Sequence, residues 1–112
     1  MLDQDVRIGL GTDGIRDLWS PYGDGDLLQV ALDFARLHRV RHDEEFTRVV
    51  HLATTAAAGY VHRNQHELVA GARADIVLLD AENPADAIVR APVRELVIAG
   101  GRVVTRTGQL VI

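Results

Sequence analysis

The residue with the clearest chemical potential is Asp13, which stands in Gly9-Leu-Gly-Thr-Asp-Gly14 directly after the alternating apolar positions Val6, Ile8 and Leu10. That two-residue period reads as a short strand with one face buried. A carboxylate at the end of such a strand and ahead of a long loop occupies the position where α/β barrels place catalytic groups. The alternative is a local role, an Asx-turn or a helix cap. The loop from Gly14 to Asp26 carries Arg16, Asp17, Tyr22 and the chain's one tryptophan, Trp19. Aromatic and charged groups mixed in a long loop suit a ligand pocket, whereas a tryptophan alone could equally fill the core.

Other motifs carry less. Gly9 to Gly14 fits GxGxxG after a strand, but no helical periodicity follows Gly14, so the helix N-terminus that would hold a pyrophosphate is missing. His38 with His42, and His62 with His66, have the four-residue spacing of metal ligands on a helix; both pairs fall at helix ends beside arginines, where histidine is common for other reasons. His51, between Val50 and Leu52, reads as a half-buried, hydrogen-bonded histidine. With no cysteine there is no disulfide, thiolate metal site or cysteine nucleophile, and the cysteine-ligated class of zinc deaminase is excluded.

The elements that must position these groups follow from periodicity. Asp26 and Gln29 resemble a capping box for a helix over about 26–39 with Leu27, Leu28, Ala31, Leu32, Phe34 and Ala35 on its apolar face. Asp43 caps a second helix to about Ala53, and Thr54 or Thr55 a short one over Ala56 to Val61, ended by His62-Arg-Asn-Gln-His66. Asp75 to Asp80 reads as a strand buried on both faces, Ala85 to Val89 as one helical turn, and Glu95–Ile98 with Arg102–Thr105 as a hairpin around Ala99-Gly-Gly101. After a turn at Thr107-Gly108-Gln109, Leu110 to Ile112 form a last strand.

The 112 residues, 47% hydrophobic and 25% charged, allow one globular domain. A net charge of −4 without any basic run argues against a nucleic-acid partner. No apolar stretch approaches bilayer length and Met1 to Val6 lacks the pattern of a signal peptide, so no membrane partner is expected and the chain reads as cytoplasmic.

The string Gly11-Thr-Asp-Gly-Ile-Arg-Asp-Leu-Trp-Ser-Pro-Tyr-Gly-Asp-Gly-Asp26 resembles the segment after the last barrel strand in the cytosine deaminase branch of the amidohydrolase superfamily, a branch that includes N-isopropylammelide amidohydrolases. Ala53-Thr-Thr-Ala-Ala-Ala58, Gly71-Ala-Arg-Ala-Asp-Ile-Val-Leu-Leu-Asp80 and Val97-Ile-Ala-Gly-Gly-Arg-Val-Val104 follow in the superfamily's order. The resemblance implies an α/β fold: the C-terminal fragment of a TIM-barrel amidohydrolase, its last strand, active-site loop and helices in 1–70, with 71–112 giving short strands of a small β-sandwich. It implies deamination, C–N bond hydrolysis of a heterocyclic amine such as a cytosine-like pyrimidine or an aminotriazine. Asp13 takes the place of the aspartate that is both metal ligand and proton shuttle; Asp17 and Trp19 match the substrate-binding Asp and Trp of the same loop. The cofactor would be a divalent metal, zinc or iron. Cytosine deaminases resembling this chain often carry a second acid after the catalytic one, where Gly14 stands here, so cytosine itself is in doubt.

A complete eight-stranded barrel takes about 250 residues, and this chain has no His-x-His pair. Catalysis is therefore expected only with the missing barrel portion, and the isolated chain should bind no catalytic metal and be inactive. A homo-oligomer is the other expectation, because an orphan strand leaves backbone groups unpaired. The competing function is a non-catalytic oligomerisation or interaction module derived from an amidohydrolase.

Overall fold

The computed structural model describes residues 5–63 and 67–112, as three helices, a strand, a fourth helix and three more strands. Helix α1 (Leu27–Leu37) starts where the Asp26 carboxylate accepts the N–H groups of Leu28 at 2.8 Å and Gln29 at 3.3 Å, satisfying two of its open donors. Gln29 does not complete the capping box; its amide donates to Asp33 one turn on, at 3.1 Å. In α2 (Asp43–Ala53) the cap is His42 and Asp43 is the first helical residue. Glu45 closes that end by accepting the N–H groups of Arg41 and His42. Helix α3 (Thr55–Tyr60) follows after Thr54, which caps nothing with its side chain and instead donates its hydroxyl to the Val50 carbonyl. Helix α4 (Pro84–Arg90) is longer than the single turn expected, because Asn83 caps it and Pro84 at its first position needs no N–H partner.

Strands β1 (Ile76–Leu79), β2 (Arg94–Ala99), β3 (Arg102–Arg106) and β4 (Gln109–Leu110) form one antiparallel sheet in sequence order. Gly100 and Gly101 both have positive φ, the geometry of a two-residue hairpin that follows the strand twist, and Thr107 with Gly108 repeats it. Asp75 locks the first hairpin from the neighbouring strand: its carboxylate accepts the Gly100 N–H at 2.6 Å and the Arg73 Nε at 2.7 Å, while the Gly101 N–H donates to the Ala74 carbonyl. Thus the Ala-Asp and Gly-Gly motifs, far apart in sequence, are two halves of one clasp.

The core joins helices from both ends of the chain. Ala31 and Ala35 of α1, Val49 of α2 and Ile88 of α4 are buried together, with Leu10, Leu28, Leu32 and Phe46 packed against them. Burying Val49 and Ile88, both fully covered, contributes about 1.5–3 kcal/mol each. The sheet is tied to α1 by Arg94, whose guanidinium contacts the Asp26 carboxylate.

Three expectations about strands are corrected. The last strand takes in Gln109, expected in the turn, and ends at Leu110, with Val111 and Ile112 outside it. The segment Val6 to Leu10 is not in a strand, because none of the described residues pairs with it as one; its ties are the Leu10 N–H to the Leu52 carbonyl at 3.0 Å and the Tyr60 hydroxyl to the Arg7 carbonyl at 2.9 Å. Strand β1 is not buried on both faces: Val77 and Leu78, which point to opposite sides, are each 54% exposed. Among the described residues it pairs with β2 alone, at one edge of the sheet. Among the described residues no helix is long and apolar enough to cross a membrane.

The clasp and the α4 cap rest on carboxylates held in their charged form. Arg90 and the Glu82 N–H lower the Asp86 carboxyl to about 2, the Gly100 N–H lowers that of Asp75, and the Arg41 and His42 N–H groups that of Glu45. A carboxyl depressed in the folded state stabilises it fully above the unfolded value of about 4 and loses that contribution as pH falls through the folded value. Circular dichroism should therefore show helix and sheet weakening between about pH 4 and pH 2, and Asp86→Asn should flatten that dependence. A flat acid titration of the parent would contradict it.

Candidate functional site

The loop after Leu10 is built by its own hydrogen bonds. Asp13 enters it at φ +53°, a left-handed conformation that Asp and Asn adopt more readily than other residues with a side chain. Backbone held there costs free energy and clusters at functional sites, and the Asp13 residue is exposed. Arg16, also left-handed at φ +48°, bridges the loop: its N–H donates to the Tyr22 carbonyl and its Nε to the Gly23 carbonyl, both at 3.0 Å. Between those closures Asp17 organises a tighter turn. Its Oδ1 accepts the N–H groups of Trp19 at 2.8 Å and Ser20 at 2.7 Å, and its own N–H donates to the Ser20 carbonyl at 2.9 Å. Those donors, Ser20 foremost and then Trp19, hold the Asp17 carboxyl below the usual carboxylate range.

Trp19 does not fill the core. It is 95% exposed, with Leu18 and Tyr22 exposed beside it. The structure therefore joins Asp17 and Trp19 in one turn, while Asp13 stands at the turn's entrance with Gly14 between. A cavity of about 800 Å³ runs along Arg7 to Thr12 against Ala57, Tyr60 and Val61. It stops at Thr12, and Asp13, Asp17 and Trp19 do not line it.

Two of the GxGxxG glycines, Gly9 and Gly14, stand at close approaches of other side chains. A Cβ at Gly9 would lie 2.8 Å from the Tyr60 ring, and one at Gly14 would run into the Asp17 carboxylate. Among the described residues no helix begins before Leu27, so Gly14 does not open the helix N-terminus that this motif uses to hold a pyrophosphate.

His38 and His42 do not share a helix face. His38 follows the end of α1, where its ring lies 4.2 Å from that of Phe34, and His42 precedes α2. His62 follows α3, whereas its partner His66 lies outside the described residues. His51, expected half-buried, is exposed on α2. Among the described residues no three His, Asp or Glu side chains come together as a metal site. Asp13 could be at most one ligand of an ion whose remaining ligands lie elsewhere.

Ser20 has no chemistry that singles it out, although Asp17-Leu-Trp-Ser-Pro21 does contain a signal. An aspartate two and three residues ahead of free N–H groups, closed by a proline, is the pattern of an Asx-turn.

The model of the Amidohydrolase family matches residues 1–105. The N-isopropylammelide isopropyl amidohydrolase of Pseudomonas sp. (strain ADP) is 27% identical over 107 residues, covering 95% of this chain and 27% of that protein. The crystal structure of N-isopropylammelide isopropylaminohydrolase from Burkholderia multivorans ATCC 17616 superimposes with a TM-score of 0.88 at 40% identity, over 95% of this chain and 27% of that one. That of 5-methylcytosine deaminase from Klebsiella pneumoniae, liganded with 5-fluorocytosine, does so with a TM-score of 0.82 at 23% identity, over 96% and 26%, a likeness of fold. The chain thus spans about a quarter of the length of the proteins it matches.

Proposed function

The chain belongs to the amidohydrolase family, and we propose that it is the C-terminal part of a metal-dependent enzyme that hydrolyses a C–N bond of an aminotriazine or a cytosine-like pyrimidine. The observation that carries this is the loop: an exposed aspartate in a strained left-handed conformation stands beside a turn that projects a tryptophan into open space. The 40% identity to an enzyme named for N-isopropylammelide supports the same direction.

In this reading Val6 to Leu10, unpaired among the described residues, would pair as the last strand of a barrel with strands that lie outside these residues, and β1 to β4 would be part of a sandwich whose further strands cover Val77 and Leu78. Zinc or iron, held by Asp13 together with ligands from the rest of the barrel, would lower the pKa of water there. Asp13 takes the proton of the attacking water as its oxygen bonds to the ring carbon, and returns it to the amine nitrogen as the C–N bond breaks. Trp19 offers the ring a flat apolar face, and Asp17 stands beside it in the substrate-binding turn. Because position 14 is glycine, no second carboxylate is available beside Asp13 to accept a ring N–H. That favours an aminotriazine over cytosine.

The test is made on the chain joined, by fusion or co-expression, to the upstream part of its polypeptide. It should release an alkylamine from an N-alkylamino-triazine with kcat/KM at least about tenfold above its release of ammonia from cytosine. Release from neither compound by a folded, metal-loaded protein would overturn the proposal.

A further inference from the structure

We propose that Asp17 is a positioning residue for the Trp19 indole. This deepens the reading above and rests on it for the statement that Trp19 faces substrate.

An indole that is 95% exposed has almost no packing to hold it, so its place is set through its backbone. Asp17 does this twice over, with Oδ1 on the Trp19 and Ser20 N–H groups and its own N–H on the Ser20 carbonyl. Hydrogen bonds to a charged carboxylate are the stronger kind. Pro21 adds to them by restricting Ser20 to extended conformations. The outer bonds from Arg16 to Tyr22 and Gly23 close the loop around the turn. Asp17 is thereby distinguished from Asp13: one carboxylate is engaged by its own loop, the other stands at its entrance.

Gly14 gives a second handle on the same carboxylate. A Cβ there would meet Asp17 Oδ2 well inside contact distance, with Cγ at 3.1 Å and Oδ1 at 3.3 Å. The Asp17 side chain would have to shift to make room, and a shift perturbs the bonds that Oδ1 makes to Trp19 and Ser20.

Trp19 is the only tryptophan, so the fluorescence of the 112-residue chain reports that one position. Time-resolved anisotropy should show a larger amplitude of fast local motion in both Asp17→Ala and Gly14→Ala. Asp17→Asn, whose Oδ1 still accepts, should stay near the parent. Circular dichroism checks that each variant is folded; should Gly14→Ala fail to fold, Asp17→Ala carries the test. Unchanged anisotropy decay in Asp17→Ala would overturn the proposal. In the enzyme completed by its upstream part, Asp17→Ala should raise KM about tenfold while kcat stays within about threefold, and Asp17→Asn should recover most of that loss. If Asn is as damaging as Ala, Asp17 acts directly on substrate and positioning is refuted. If anisotropy responds as expected and KM does not, the turn is as described and it is the placing of Trp19 against substrate that fails.

Discussion

Replacing Asp13 by asparagine in the completed enzyme is expected to lower kcat by about 10²-fold to 10⁴-fold, the range associated with loss of a general base. Two features make the substitution informative. Asn is, with Asp, among the residues that tolerate a left-handed backbone, so φ +53° at position 13 can be kept without new strain. The change also preserves size and one acceptor oxygen, so what is lost is the capacity to take a proton and a unit of negative charge. KM should move much less than kcat, because the interaction removed is one that matters as the proton is transferred. Asp13→Ala would confuse this by removing the backbone preference as well. Steady-state kinetics on a folded, metal-loaded Asp13→Asn enzyme decides the matter: a kcat within about threefold of the parent, far short of the general-base range, would remove Asp13 from the mechanism.

The helices were legible because their signals are local. The 3.6-residue spacing of Leu28, Ala31, Leu32 and Ala35, ahead of which Asp26 can accept backbone N–H groups, specifies α1 whatever else is present. The glycines of Gly100-Gly101 specify their hairpin in the same way. The strand readings failed at Val6 to Leu10, and at β1 in its burial, because a strand is a property of its neighbours. Val6, Ile8 and Leu10 alternate as a strand should, yet alternation supplies no partner for their N–H and C=O groups. Val77 and Leu78 are apolar on both sides, as a doubly covered strand would be, and no covering layer lies among these residues. In the loop, Asp13, Asp17 and Trp19 could be named as candidates from the loop string, but their arrangement could not be read there. That Asp17 bonds to the Trp19 backbone, and that Gly14 leaves room for it, depends on side-chain direction within a turn, which sequence spacing does not carry.

The apolar surface left open has a consequence for the 112-residue chain by itself. Tyr60, Val61, Val77, Leu78, Leu110 and Ile112 are all more than half exposed, and the segment Val6 to Leu10 has no strand partner among the described residues. Unpaired backbone next to exposed apolar side chains favours pairing with another copy. One carboxylate, meanwhile, cannot hold a catalytic ion that needs at least three protein ligands. The isolated chain is therefore expected to self-associate, to bind neither zinc nor iron in a one-to-one ratio at the loop, and to turn over neither aminotriazine nor cytosine. Supplying the upstream part of the polypeptide should reverse all three together, because the strands that pair with Val6 to Leu10 would also bring the missing ligands. Light scattering across a dilution series, calorimetric titration with the metal and an amine-release assay measure the three separately. A monodisperse monomer would show that the open edges are tolerated. Turnover by the chain alone, or stoichiometric metal binding that Asp13→Asn abolishes, would show that the 112 residues hold a complete centre, and the fragment reading would fall.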